Sequence, residues 1–152
     1  MTDRYSFTDE EWRLVAAAPY VVGISAMIFD PTLTSLVMEI AALRKIVRTA
    51  AEQYGHNALV QACIQDTDTF NQNESQRAAE LKVASLLEMF REVLMIVDLK
   101  AEPDEAQDYR YFLYEVGEKM TEVAGEGLLG LGPKTSDREY EYLSRLEEWL
   151  GV

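Results

Sequence analysis

Apolar residues in this chain recur at alternating separations of three and four, and no stretch alternates apolar with polar residues as a half-buried strand would. Leu36, Ile40, Leu43, Val47, Ala50 and Tyr54 form one stripe. Ala79, Val83, Leu86, Phe90, Val93 and Val97 form a second with the same 4-3-4-3-4 rhythm. Each is the buried face of an amphipathic helix. The chain is therefore expected to fold as an all-α, single-domain bundle of about six helices. With 152 residues, it is long enough to bury roughly 70% of the surface its unfolded form exposes, without a disulfide or a structural metal.

The punctuation of the chain sets the helix boundaries. Thr8 followed by Glu11 spells a capping box, so a helix starts there. Pro19 within the following apolar pattern is expected to kink that helix or break it into residues 9–18 and 19–29. Further helices are expected over residues 35–54, stopped by Gly55, over 57–65, and as one continuous helix over 75–100. Residues 66–74 lack periodicity and read as a loop. Pro103 with Asp104 and Glu105 opens the next helix, where carboxylates oppose the positive end of the dipole. That helix carries Ala106, Tyr109, Leu113, Val116, Met120 and Val123 on one face. A glycine-rich link, residues 125–132, follows. Ser136 and Glu139 form a second capping box before a last helix with Leu143, Leu146 and Leu150, closed by Gly151.

The formal charge of −13 is spread over both halves, with 5 basic against 10 acidic residues up to Gln76 and 9 against 17 beyond it. Such a surface repels phosphate backbones and anionic lipid, which argues against nucleic acid and membrane surfaces as partners. Arg44, Lys45 and Arg48 make the one local basic cluster and read as a solvated helix face. The longest uncharged run, residues 14–29, is 16 residues and contains Pro19, Gly23 and Ser25. A bilayer span needs about 20 apolar residues, so this run is expected to be the most buried segment of a bundle and not a membrane insertion. Residues 1–11 show no basic segment followed by an apolar one, so no secretory leader is expected. The single cysteine, Cys63, lies in an apolar run and has no internal partner. A reducing, cytoplasmic setting follows from it.

Several short patterns imitate functional motifs. Gly125, Gly127 and Gly130 spell GxGxxG, but a helix and not a strand delivers the chain into them, so no dinucleotide is expected there. Asp66, Asp68 and Glu74 imitate a calcium loop, yet Phe70 and Asn71 stand where a polar ligand and a glycine are required. Glu52 and His56 have a ligand-like spacing, but Gly55 separates them and there is one histidine in all. Glu115, Glu118, Glu122 and Glu126 crowd one helix face, with Lys119 as a local offset. No nucleophile and base pair is identifiable, so no catalytic residues and no cofactor are assigned.

Residues 112–152 read as an apolar helix ending in Val123-Ala124, a glycine-bearing acidic link, then Ser136-Asp137-Arg138-Glu139 and a helix closing on Leu150-Gly151. Residues 22–46 have a similar order, with Ala26, Asp30, Glu39, Ala42 and Leu43. This arrangement resembles the helix pairs of TerB-like tellurite-resistance proteins. Where that family carries Asp-Gly at each turn, this chain has Asp30-Pro31 and Gly125-Glu126-Gly127. The resemblance implies an acidic helical stress-response module that binds a divalent metal, with Asp30, Glu39, Glu126 and Glu139 as the ligands. The residues themselves favour another reading: a non-enzymatic cytoplasmic protein that acts through contacts with a protein partner or with a second copy of itself. That reading expects the four carboxylates not to converge.

Overall fold

The computed structural model describes residues 1–33, 39–127 and 137–152. Seven α-helices account for most of them: α1 (Asp9–Phe29), α2 (Ile40–Ala51), α3 (Ala58–Gln65), α4 (Gln72–Ala79), α5 (Val83–Lys100), α6 (Pro103–Gly127) and α7 (Asp137–Leu150). No strand occurs among the described residues. The molecule is an all-α bundle, as the spacing requires.

Helix α1 is the axis of the bundle and packs against each of the other six. A helix surrounded in this way must be apolar on all sides, which explains the long uncharged run. By length and composition α1 would also pass for a membrane-crossing helix, and 72% of its most apolar window is buried by the neighbouring helices. Its start is the capping box read from the sequence: the Glu11 amide donates to Thr8 Oγ1 at 3.2 Å, and the Thr8 amide donates to Glu11 Oε1 at 2.8 Å. Lys100 from the end of α5 donates to the same Glu11 carboxylate at 2.7 Å.

Pro19 neither breaks nor ends α1, which continues unbroken to Phe29. Proline has no N–H, so the carbonyl four residues earlier, that of Val15, loses its helical donor. The Tyr109 hydroxyl on α6 donates to this oxygen at 2.7 Å, and the Cys63 thiol on α3 approaches it at 3.8 Å. A side chain from a neighbouring helix thus replaces the missing backbone bond. Two turns beyond Val15, Tyr142 of α7 and Ser25 both donate to the Val22 carbonyl, at 2.9 and 2.6 Å.

Two glycines allow helices to approach closely. A Cβ on Gly23 would come within 2.6 Å of Leu43 Cδ1 on α2, and one on Gly117 would collide with Leu146 of α7. Both contacts lie in the core, where Trp12, Leu43, Phe90, Phe112, Met120 and Leu146 are fully buried. Gly151 closes α7 in the left-handed region, with φ 68°. Arg110 donates to the Leu150 carbonyl at 2.7 Å, satisfying one of the last free acceptors of that helix.

Three boundaries differ from the sequence reading. The helix expected over residues 75–100 is two helices, which raises the count from six to seven. Asn71 caps α4 by accepting from the Asn73 and Glu74 amides, at 3.0 and 3.2 Å. The α4 C-terminus is closed by tight bonds from Glu80 to Arg77 and from Leu81 to Ala78, and Lys82 is extended. Ala79 and Val83 therefore do not continue the stripe of Leu86, Phe90, Val93 and Val97, and Val83 is exposed. At the second boundary, α2 begins at Ile40, and residues 52–54 tighten into a 3-10 turn. Leu36 lies outside the described residues. The third is the end of α6, which runs through Gly127, two residues beyond the first glycine expected to stop it. The rest of the glycine link, with Leu128, Leu129 and Leu131, lies outside the described residues, as does Ser136.

Candidate functional site

The carboxylates implied as metal ligands are placed as follows. Asp30 ends α1, and its Oδ1 accepts from the Thr32 amide at 3.1 Å and the Thr32 hydroxyl at 2.5 Å. Glu39 is exposed at the head of α2 and makes no side-chain cap. Glu139 is buried in the first turn of α7. Glu126 is on α6, and its side chain lies outside what is described. Among the described residues, no three His, Cys, Asp or Glu side chains stand close enough together to hold a metal ion.

The other chemically suggestive side chains have structural partners. His56 Nε2 lies 3.1 Å from Asp108 on α6. Lys119 sits between Glu115 and Glu122, at 3.9 and 3.4 Å. Burial raises the Glu118 carboxyl above the ordinary glutamate range, and Glu115 and Glu122 push it further the same way against the pull of Lys119. Burial also pushes the Cys63 thiol far up, so it has no thiolate character near neutrality.

Asp66 imitates a calcium ligand in sequence and instead organises a turn. Its carboxylate accepts from the Trp12 indole at 2.7 Å, the Thr69 hydroxyl at 2.6 Å and amide at 2.9 Å, and the Asp68 amide at 3.1 Å. Burial pushes this carboxyl up, but these bonds together hold it below the usual aspartate range. Arg44 reaches the same turn, donating to the Thr67 carbonyl at 2.8 Å and the Phe70 carbonyl at 3.4 Å. It is therefore not part of a solvated basic face, as the sequence suggested. Phe70, fixed in this way, stacks on Tyr20 of α1 with ring centroids 5.0 Å apart.

The fixed turn forms one end of a cleft of about 490 Å3 between α1, α4 and α5. Leu14, Ala17 and Val21 line it from α1, Ala78 and Leu81 from α4 and its exit, and Met89 from α5. Arg13, Glu74 and Arg77 add charge at its walls. A smaller groove between α2 and α6 is floored by Ala42, Ile46 and Val123, with Lys119 at its edge.

On its outer side, α5 exposes two large apolar side chains among charged ones. Met95 is 62% exposed and Leu99, one turn on, is 79% exposed. Met1, at 95% exposed, is next to Thr2, whose hydroxyl accepts from the Glu102 amide in the α5–α6 turn at 3.1 Å. Sequence reasoning missed both the cleft and this face. The face had left a signal, since Met95 and Leu99 are large apolar residues that fall off the buried stripe of their own helix. The cleft had none, because it exists only where three helices meet.

Comparison with known proteins gives no match: no family model, no curated protein and no solved structure resembles this chain significantly.

Proposed function

We propose that this chain is a non-enzymatic cytoplasmic protein that works through protein contacts, with the outer face of α5 as its contact surface. The observation that carries the reading is the pair Met95 and Leu99, both largely exposed on a regular helix whose opposite face already fills the core. Burying side chains of this size is worth about 1.5–3 kcal/mol each, a gain that folding forgoes and a partner recovers. Methionine suits such a surface because its flexible thioether adapts to the shape that covers it. The cytoplasmic part of the reading rests on Cys63, a single buried thiol in a chain without disulfides. Absence of membrane insertion is supported by α1, the one long apolar helix among the described residues, being enclosed by the rest of the bundle.

Size-exclusion chromatography of fresh extract from the cells that make the protein, compared with the purified 17.3 kDa chain, tests this. Wild type in extract should elute ahead of a monomer, and a Met95→Lys, Leu99→Lys variant should elute as a monomer while keeping its helical circular dichroism. If the partner is a second copy, purified wild type shows the same early elution. Monomer-sized elution of wild type in both samples, or an unchanged early elution of the variant, would defeat the proposal.

A further inference from the structure

The cleft between α1, α4 and α5 is a separate surface with a different chemistry. Its volume of about 490 Å3 falls in the range of roughly 300–1,000 Å3 typical of small-molecule sites. Leu14, Ala17 and Val21 make one apolar wall, and Phe70, Leu81 and Met89 lie across from it. Among the described residues, Thr69 is the one uncharged polar side chain lining it, and its hydroxyl is already donated to Asp66 at 2.6 Å. The described walls therefore offer no free hydroxyl to a polar ligand body.

The charges are unevenly committed. The Arg13 guanidinium has no ion-pair or hydrogen-bond partner among the described residues. Among the described residues, Arg77 is held only by Glu74, 3.6 Å away in an exposed i,i+3 pair of the kind that contributes little. Two of the 14 basic residues of a chain with net charge −13 thus line one apolar opening. From this arrangement we infer that the cleft binds a monoanionic amphiphile, a single carboxylate on an apolar body. The body lies along Leu14, Ala17 and Val21, and the carboxylate takes the planar fork of Arg13, which matches it in a bidentate pair. Among the described lining residues Glu74 offsets one arginine, leaving a net charge of one, which a single carboxylate neutralises, whereas a doubly charged head would leave a negative charge uncompensated in an apolar opening.

Isothermal titration of the full chain with decanoate, decanol and decyl phosphate at mildly alkaline pH tests the assignment. Decanoate should bind saturably with one molecule per chain, and both decanol and decyl phosphate at least about tenfold more weakly. Arg13→Gln, an exposed substitution, should weaken decanoate by about tenfold and leave decanol unchanged. Leu81→Asp should weaken both, with circular dichroism confirming that each variant is folded. The inference is overturned by an absence of saturable decanoate binding, by decanol binding as tightly as decanoate, or by an Arg13→Gln variant with undiminished affinity. Decyl phosphate binding as tightly as decanoate would overturn the single-charge assignment.

Discussion

Replacing Tyr109 by phenylalanine removes one hydroxyl and nothing else, at a place where the backbone depends on it. Tyr109 is fully buried, and its hydroxyl supplies the hydrogen bond that Pro19 denies to the Val15 carbonyl. Without it that oxygen keeps only the weak thiol donor of Cys63 at 3.8 Å. A buried acceptor left nearly unsatisfied costs about 1–3 kcal/mol, and the Tyr109→Phe variant should be destabilised by that amount. The decisive comparison is with Pro19→Ala. Alanine restores an N–H one turn below the Val15 carbonyl, so the hydroxyl becomes redundant. In the Pro19→Ala background, Tyr109→Phe should cost less than about 1 kcal/mol, giving a positive coupling of up to about 3 kcal/mol between residues on different helices. Because Pro19→Ala also changes core volume, its own effect is not diagnostic and the coupling is. Urea unfolding followed by far-ultraviolet circular dichroism on the four proteins of the cycle measures it. Equal costs of Tyr109→Phe in the two backgrounds would refute the assignment of the hydroxyl to the proline gap.

Asp66→Asn should cost about 1–3 kcal/mol, because it weakens the charge-assisted bonds to Trp12 and Thr69. Since the folded carboxyl is held below its ordinary value, its contribution is complete above the ordinary aspartate range and is lost as pH falls through the folded value; urea midpoints on the acid side should fall less steeply in the variant than in wild type. Glu118 has the opposite sign: its folded value is raised, so the carboxylate costs stability as pH rises out of the ordinary glutamate range. Glu118→Gln should therefore gain on wild type between mildly acidic and neutral pH in thermal melts, and a gain that does not grow across that interval would count against the burial argument. Gly117→Ala should destabilise by about 1–3 kcal/mol by forcing α6 from Leu146, and a neutral result in urea unfolding would mean that the α6–α7 contact is looser than described.

The periods of the amphipathic helices were legible in the sequence because a helix with one buried face obeys the same 3.6-residue rule whatever it packs against. The capping box at Thr8 and the stop at Gly151 were legible for the same reason, being local chemistry. What escaped was non-local. Nothing in the neighbourhood of Pro19 reveals that a tyrosine 90 residues on repairs its helix. The break between α4 and α5 was hidden because Ala79 and Val83 preserve the spacing across the join by coincidence of register. Arg44 looked like part of a solvated cluster until the fold brought the Asp66–Phe70 turn against it. The candidate surfaces divide along the same line, with Met95 and Leu99 visible as apolar residues off the stripe and the cleft visible only in three dimensions.

The most direct test of the proposal that α5 carries the contact surface is position-specific photo-crosslinking in the cells that make the protein. A photoreactive phenylalanine analogue is introduced at Met95, at Leu99 and at Glu52, an exposed residue at the end of α2. Illumination should convert the protein into one or a few discrete heavier adducts from positions 95 and 99 and none from position 52. Adducts from none of the three positions, or the same adducts from all of them, would contradict the assignment of α5 as the working face.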